Sequence, residues 1–175
     1  MANRNLINFI SKYLSKNNHT EFLNEITSLL RKTKKNKKKI FIFGNGGSAS
    51  IADHFCLDLV NKYKVEAFTY NSTSLITCFA NDYEYKNSIV EFLKIFLKTD
   101  DIVFLISSSG NSLNMVNAAK FIKDNNVITL TGFSKGNKLK KYGDFNLWID
   151  CKNYNAIENL HQIYLLQIIE NLIND

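Results

Sequence analysis

Apolar positions change their spacing several times along the chain, and each change marks an element. Residues 4–32 carry apolar side chains at helical spacing: Leu6, Ile7, Phe9, Ile10, Tyr13 and Leu14, then Phe22, Leu23, Ile26, Leu29 and Leu30. The break between them is KNNHT, where Thr20 can cap a second helix with Glu21 close behind and His19 reads as a solvated turn residue. Ile40, Phe41, Ile42 and Phe43 then alternate β-branched and aromatic side chains as a strand does. A glycine-rich turn leads from this strand into a helical run over residues 48–62, with Ile51, Ala52, Phe55 and Leu59 on its apolar face.

The same order recurs down the chain. Residues 65–81 read as a strand around Ala67, Phe68 and Tyr70 and a helical segment ending at Ala80, Asn81 and Asp82, with a further helix over residues 83–98. Ile102, Val103, Phe104, Leu105 and Ile106 form a third strand, followed by SSSGNS and a helical pattern through Met115, Val116, Ala118, Ala119 and Ile122. Residues 127–131 and 145–149 are two more strands, and residues 156–173 form a closing amphipathic helix. Alternating strands and helices predict the α/β class, a three-layer αβα sandwich on a mostly parallel five-stranded sheet. With 175 residues, 45% of them hydrophobic, the chain suffices for one well-buried domain and is short for two. A helical segment over residues 1–38 would precede a core over residues 39–175, and the apolar faces of both terminal helices suggest burial against another subunit.

Charge changes this picture little. The net charge of +6 hints at nucleic acid, yet residues 31–39 (RKTKKNKKK) hold seven positive charges, and removing those seven from +6 leaves −1. The basicity is local, and a solvated helix end and loop explains it better than an RNA, DNA or acidic membrane contact. No aromatic platform accompanies the run, so nucleic acid is not an expected partner. Cys56, Cys78 and Cys151 are widely spaced among apolar neighbours, which suits buried free thiols in a reducing compartment. Without a membrane-length apolar run or a signal-peptide pattern, the expected location is the cytoplasm.

The chemistry concentrates in two loops. GNGGS after the first strand combines backbone freedom with the free N–H groups of a helix start, which can attract an anion or simply make a tight turn. The loop after the third strand offers Ser107, Ser108, Ser109 and Ser112 around one glycine. One serine can cap the following helix; four leave hydroxyls for a phosphate. Ligands of parallel sheets bind at the carboxyl ends of the strands, where both loops emerge. His54 and Asp58 share a helix side at i, i+4, as a metal-ligand pair, a base with its partner, or a surface ion pair. Asp82 either caps a helix or holds a ligand hydroxyl.

FGNGGSASIADHF, CFANDYEY, ISSSGNS, ITLTG and AIENLHQIYLLQIIE, in this order from Ile40 onward, resemble the phosphoheptose isomerase group of SIS (sugar isomerase) domains. The resemblance implies a homotetramer with active sites between subunits. It further implies that a ketose phosphate and an aldose phosphate interconvert there through an enediol, in heptose biosynthesis for lipopolysaccharide or capsule. Ser107, Ser108, Ser109 and Ser112 would then grip the phosphate, and Asn45, Gly46, Ser48 and Asp82 the sugar. The group's glutamate base falls on Asp58, its C-terminal glutamine on Glu158, and a histidine of the same helix on Leu166. His54 is retained. Some members resemble zinc enzymes that use these four positions, so the implied metal set is His54, Asp58 and Glu158, with zinc optional.

These departures have physical weight. Aspartate is shorter than glutamate by about 1.5 Å, and a misplacement near 1 Å can cost on the order of 10²-fold in rate. Leucine carries no proton. His161 cannot stand in for the missing histidine, because five residues on an α-helix turn it about 140° away from Leu166. Gln162 shares a side with Glu158 but is neither acid nor base. Asp58 and Glu158 remain the proton-transferring candidates. The alternative is a non-catalytic SIS protein, resembling the regulator of replication initiation, that binds a sugar phosphate or a protein partner.

Overall fold

The computed structural model describes residues 5–174. The elements run α1 (Leu6–Lys16), α2 (Thr20–Lys35), β1 (Ile40–Gly44), α3 (Gly47–Asn61), β2 (Ala67–Thr69), α4 (Thr73–Tyr83), α5 (Ser88–Phe96), β3 (Ile102–Ser107), α6 (Leu113–Phe121), β4 (Asn126–Thr131), β5 (Phe145–Trp148) and α7 (Tyr154–Ile173). Short 3₁₀ helices lie at Tyr85–Asn87 and Leu139–Tyr142. The five strands lie in the order β2-β1-β3-β4-β5, and every neighbouring pair is parallel. The expected αβα architecture is therefore present, with a sheet that is parallel throughout.

Alternate residues of β1, β3 and β4 feed two cores. Ile40, Ile42, Ile102, Phe104 and Ile106 pack with the apolar sides of α2, α3 and α7. Phe41, Phe43, Val103 and Leu105 pack with Ile89, Phe92 and Leu93 of α5 and with Met115 and Val116 of α6. Both faces are covered, which is why β1 and β3 read as unbroken apolar runs. Strand order reverses beside β1: β2 lies on one side of it and β3 on the other. The loops leaving β1 and β3 therefore flank the switch point where such sheets take ligands.

Several local expectations are corrected. The helix expected to end at Ala80, Asn81 and Asp82 runs one residue further, to Tyr83, and Glu84 with φ of 63° ends it. The single helix expected over residues 83–98 is thus a 3₁₀ turn followed by α5. His19, not Thr20, occupies the N-cap of α2, in left-handed backbone. Its ring is half-buried rather than fully solvated: it stacks near Tyr13, meets the edge of Tyr164 at 5.0 Å, and burial lowers its pKa. Cys78 is exposed, and Cys56 and Cys151 are half-buried free thiols.

The basic run lies at the opposite end of the sheet from the two loops, where its side chains make local contacts. Lys34 donates to the Tyr63 carbonyl and sits over that ring, Lys38 reaches the Thr99 carbonyl and Asp100, and Arg31 donates to the Asn171 carbonyl. Among the described residues no helix is long and apolar enough to cross a membrane.

Candidate active site

The register of the two central strands sets the site. Gly44 pairs with Ile106, so Asn45 and Ser107 leave the sheet side by side. The glycine loop and the serine loop share one rim.

The serine loop is a turn held from outside. The Gly110 N–H donates to the Ser107 carbonyl at 2.9 Å, and Gly110 has φ of 64°. A Cβ on Gly110 would overlap Asn137 Oδ1. Asn137 is itself buried and donates to Thr131 Oγ1 and the Ser134 carbonyl, so the loop after β4 braces the loop after β3. Ser112 occupies the N-cap of α6 yet makes no capping hydrogen bond; its Oγ instead lies 3.4 Å from that of Ser107. Ser109 Oγ accepts from the Asn111 N–H, and Ser108 Oγ is buried without a protein partner. A buried hydroxyl left unmet costs about 1–3 kcal/mol. Capping therefore does not account for these four hydroxyls.

The glycine loop meets the C-terminal helix. A Cβ on Gly47 would lie 2.5 Å from Glu158 Oε2, so glycine at this position admits the carboxylate to the start of α3. There the free N–H groups favour negative charge. Ser48 is buried in the first turn of the same helix. Asn45 is fixed by three hydrogen bonds: its Nδ2 donates to Asn114 Oδ1 at 3.0 Å, while Asn114 Nδ2 and the Tyr85 hydroxyl both donate to its Oδ1 at 2.8 Å. A small cavity opens here, lined by Asn45, Gly46, Asn71, Tyr85 and Asn114 among others.

His54 and Asp58 lie further along α3. Asp58 is not half of a surface pair, because its side chain is only 5% exposed; its Oδ2 lies 3.1 Å from Lys62 Nζ and 3.7 Å from His54 Nε2. His54 Nδ1 faces Gln162 Nε2 at 3.2 Å, as the shared side of Gln162 and Glu158 allows. His161 lies elsewhere, fully buried, with Nε2 3.2 Å from the Thr131 carbonyl, and burial lowers its pKa to about 4. Asp82 is exposed near the end of α4, where Asn81 Nδ2 and Cys78 Sγ donate to it, and it caps nothing.

The metal set is not assembled within this chain. Among the described residues no three His, Cys, Asp or Glu side chains form a group able to hold a metal ion. Glu158 is turned to Gly47, Asp58 is neutralised by Lys62, and Leu166 offers no donor atom. The spacing along α3 is the physical reason: Asp58 is three turns beyond Gly47, about 16 Å at 1.5 Å per residue.

Asn114, Tyr85, Asn137 and Gln162 were not singled out as site residues by sequence reasoning. Asn114 lies two residues beyond the serine motif, in SLN, and that proximity is the one signal that could have marked it.

Comparison with known proteins bears on the same residues. The SIS domain model matches residues 6–132. The phosphoheptose isomerase of Aliarcobacter butzleri is 34% identical over 163 residues, covering 86% of this chain and 85% of that protein. The phosphoheptose isomerase of Helicobacter pylori strain P12 is 35% identical over 156 residues, covering 85% and 81%. The structure of phosphoheptose isomerase GmhA from Neisseria gonorrhoeae superposes with a TM-score of 0.85 at 26% identity, over 97% of this chain and 92% of that one. The Vibrio vulnificus NanR protein complexed with ManNAc-6P shares the fold alone, at 16% identity and a TM-score of 0.64 over 97% of this chain and 59% of that one. With the loops, their order and the sheet all in agreement, this chain belongs to the phosphoheptose isomerase family of SIS domains.

Proposed function

We propose that this protein is a phosphoheptose isomerase, interconverting sedoheptulose 7-phosphate and the aldose heptose 7-phosphate through an enediol. The observation that carries this reading is the shared rim of the serine loop and the glycine loop, with the Glu158 carboxylate at the start of α3. In this reading Ser107, Ser108, Ser109 and Ser112 hold the phosphate through neutral donors. Asn45, Gly46, Ser48 and Asp82 meet the sugar. Isomerisation moves one proton between C1 and C2 and a second between their oxygens, so a carboxylate takes the carbon-bound proton from one carbon and returns it to the other while the hydroxyl proton passes between the two oxygens. Glu158 is the carboxylate beside the loops, and Asp58 occupies the position of the family's base.

Asp58 of the same chain is too far along α3 to share a small ligand with Gly47. We therefore assign the complete site to two chains in a homotetramer, one giving the loops and a neighbour giving His54 and Asp58. Leu57 and Val60, which flank Asp58 on α3, are 60% and 47% exposed, and Ile7 of α1 is 76% exposed, which supports burial against another copy. The product would enter heptose biosynthesis for lipopolysaccharide or capsule in the cytoplasm.

The deciding experiment is incubation of the purified protein with sedoheptulose 7-phosphate, with and without added Zn²⁺, and detection of the aldose. Product formation is expected. Binding by calorimetry with no product under either condition would replace the isomerase with a sugar-phosphate sensor.

A further inference from the structure

Asn45 has its hydrogen-bonding capacity almost fully committed inside the protein. An amide offers two acceptor lone pairs on oxygen and two N–H donors. Both lone pairs of Asn45 Oδ1 are taken, one by the Tyr85 hydroxyl and one by Asn114 Nδ2, each at 2.8 Å. One N–H goes back to Asn114 Oδ1 at 3.0 Å, closing a reciprocal amide pair. A single N–H remains for a ligand. Asn114 is only 3% exposed, in the first turn of α6, and α6 begins at the serine loop. The pair thus ties the sugar side of the rim to its phosphate side. Tyr85 comes from the 3₁₀ turn that follows Glu84, and Ser88 Oγ donates to the Tyr85 carbonyl at 2.9 Å, which anchors that turn.

We infer that Asn114 and Tyr85 are positioning residues that force the Asn45 amide to act toward the sugar phosphate only as a donor. Turning that amide over alone would break both bonds of the reciprocal pair and set its NH₂ group against that of Asn114, leaving only the Tyr85 hydroxyl, which can accept as well as donate, as a partner. The ligand atom opposite Asn45 is therefore an acceptor, such as a hydroxyl, carbonyl or enediolate oxygen. A fixed N–H beside an oxygen that gains negative charge stabilises the transition state more than the ground state. Losing such a donor outright costs about 10²–10³ in kcat, so loosening its orientation is expected to cost on the order of tenfold.

This inference rests on the isomerase reading for its kinetic consequence, but not for its geometry. Tyr85→Phe and Asn114→Leu are expected to lower kcat by about tenfold each. KM and competitive inhibition by inorganic phosphate should stay within about twofold, because the serine hydroxyls are untouched. A purely structural role would instead change phosphate inhibition and kcat together. Side-chain amide hydrogen exchange, followed by NMR on the wild-type protein, reads the geometry without turnover. Asn45 should show one protected and one exchanging Nδ2 proton, and Tyr85→Phe should weaken that protection. Two exchanging protons in the wild type, or folded variants with unchanged kcat, would overturn the inference. Protection without any turnover of sedoheptulose 7-phosphate would instead sink the isomerase reading alone.

Discussion

Glu158 and Gly47 are in contact across the interface of α7 and α3, so close that any Cβ at position 47 would come within 2.5 Å of the carboxylate. The obstructing atoms are the far end of a flexible side chain, so an added methyl would push the carboxylate aside and leave the backbone where it is. Gly47 has no positive φ, so alanine also gains about 0.4–1 kcal/mol by restricting the unfolded chain. Gly47→Ala should therefore leave the melting temperature equal or slightly raised while turnover of sedoheptulose 7-phosphate falls by roughly 10²-fold, the scale expected for a 1 Å misplacement. Full activity in a stable Gly47→Ala protein would remove Glu158 from the chemistry.

Asp58 and Glu158 can be told apart by substitution. Asp58→Asn keeps the shape and removes the charge that Lys62 balances. With Asp58 as base, turnover is abolished and calorimetry still detects sedoheptulose 7-phosphate, since the serine loop lies elsewhere. Glu158→Gln restores the amide typical of the family, and activity that survives it would leave Asp58 as the base. Turnover retained in Asp58→Asn and lost in Glu158→Gln would move that role to Glu158.

The serine loop makes a sharper demand on its glycine. Gly110 sits at φ of 64°, which costs an L-residue roughly 1–2 kcal/mol, and its missing Cβ is replaced by the buried Asn137 amide. Asn137 cannot step aside, because Thr131 and Ser134 hold it. Gly110→Ala should lower the melting temperature by about 4–8 °C, from about 2 kcal/mol at 2–4 °C per kcal/mol for a chain of this size. Competitive inhibition by inorganic phosphate should weaken by at least about tenfold. An unchanged inhibition constant would mean that phosphate is held elsewhere.

The sheet was legible in the sequence because each strand repeats one demand. Ile40, Phe41, Ile42 and Phe43 must all be apolar when helices cover both faces, and the two polar loops stand out against such runs. What the sequence hid were contacts between distant residues. Asp58 looks like a surface residue on a helical wheel, yet it is buried beside Lys62 and His54. Asn114 and Tyr85 are ordinary polar residues until the fold brings them onto Asn45. Asp82 illustrates the reverse: local signals suggested a helix boundary, but a positive φ at Glu84 two residues later fixed the end of α4.

His161 supplies a pH test of the fold itself. Its Nε2–H donates to the Thr131 carbonyl, while Nδ1 is buried with no partner, so taking a second proton means placing a charge in the core. Burial accordingly lowers its pKa from 6.5 to about 4. Between those values the unfolded chain binds a proton that the native chain does not, so stability is fully present above pH 6.5 and is lost as pH falls toward 4. The slope from one such group is about 1.4 kcal/mol per pH unit. His19, also lowered by burial, acts in the same direction, so removing His161 flattens the profile without abolishing it. Urea denaturation at intervals from pH 4.5 to 8 should show His161→Gln less stable than wild type near pH 8, where the ring is neutral and well packed. The gap should narrow steadily below pH 6.5. Parallel profiles for the two proteins would mean that His161 takes up its proton equally in both states, and that the core around Thr131 is open to water.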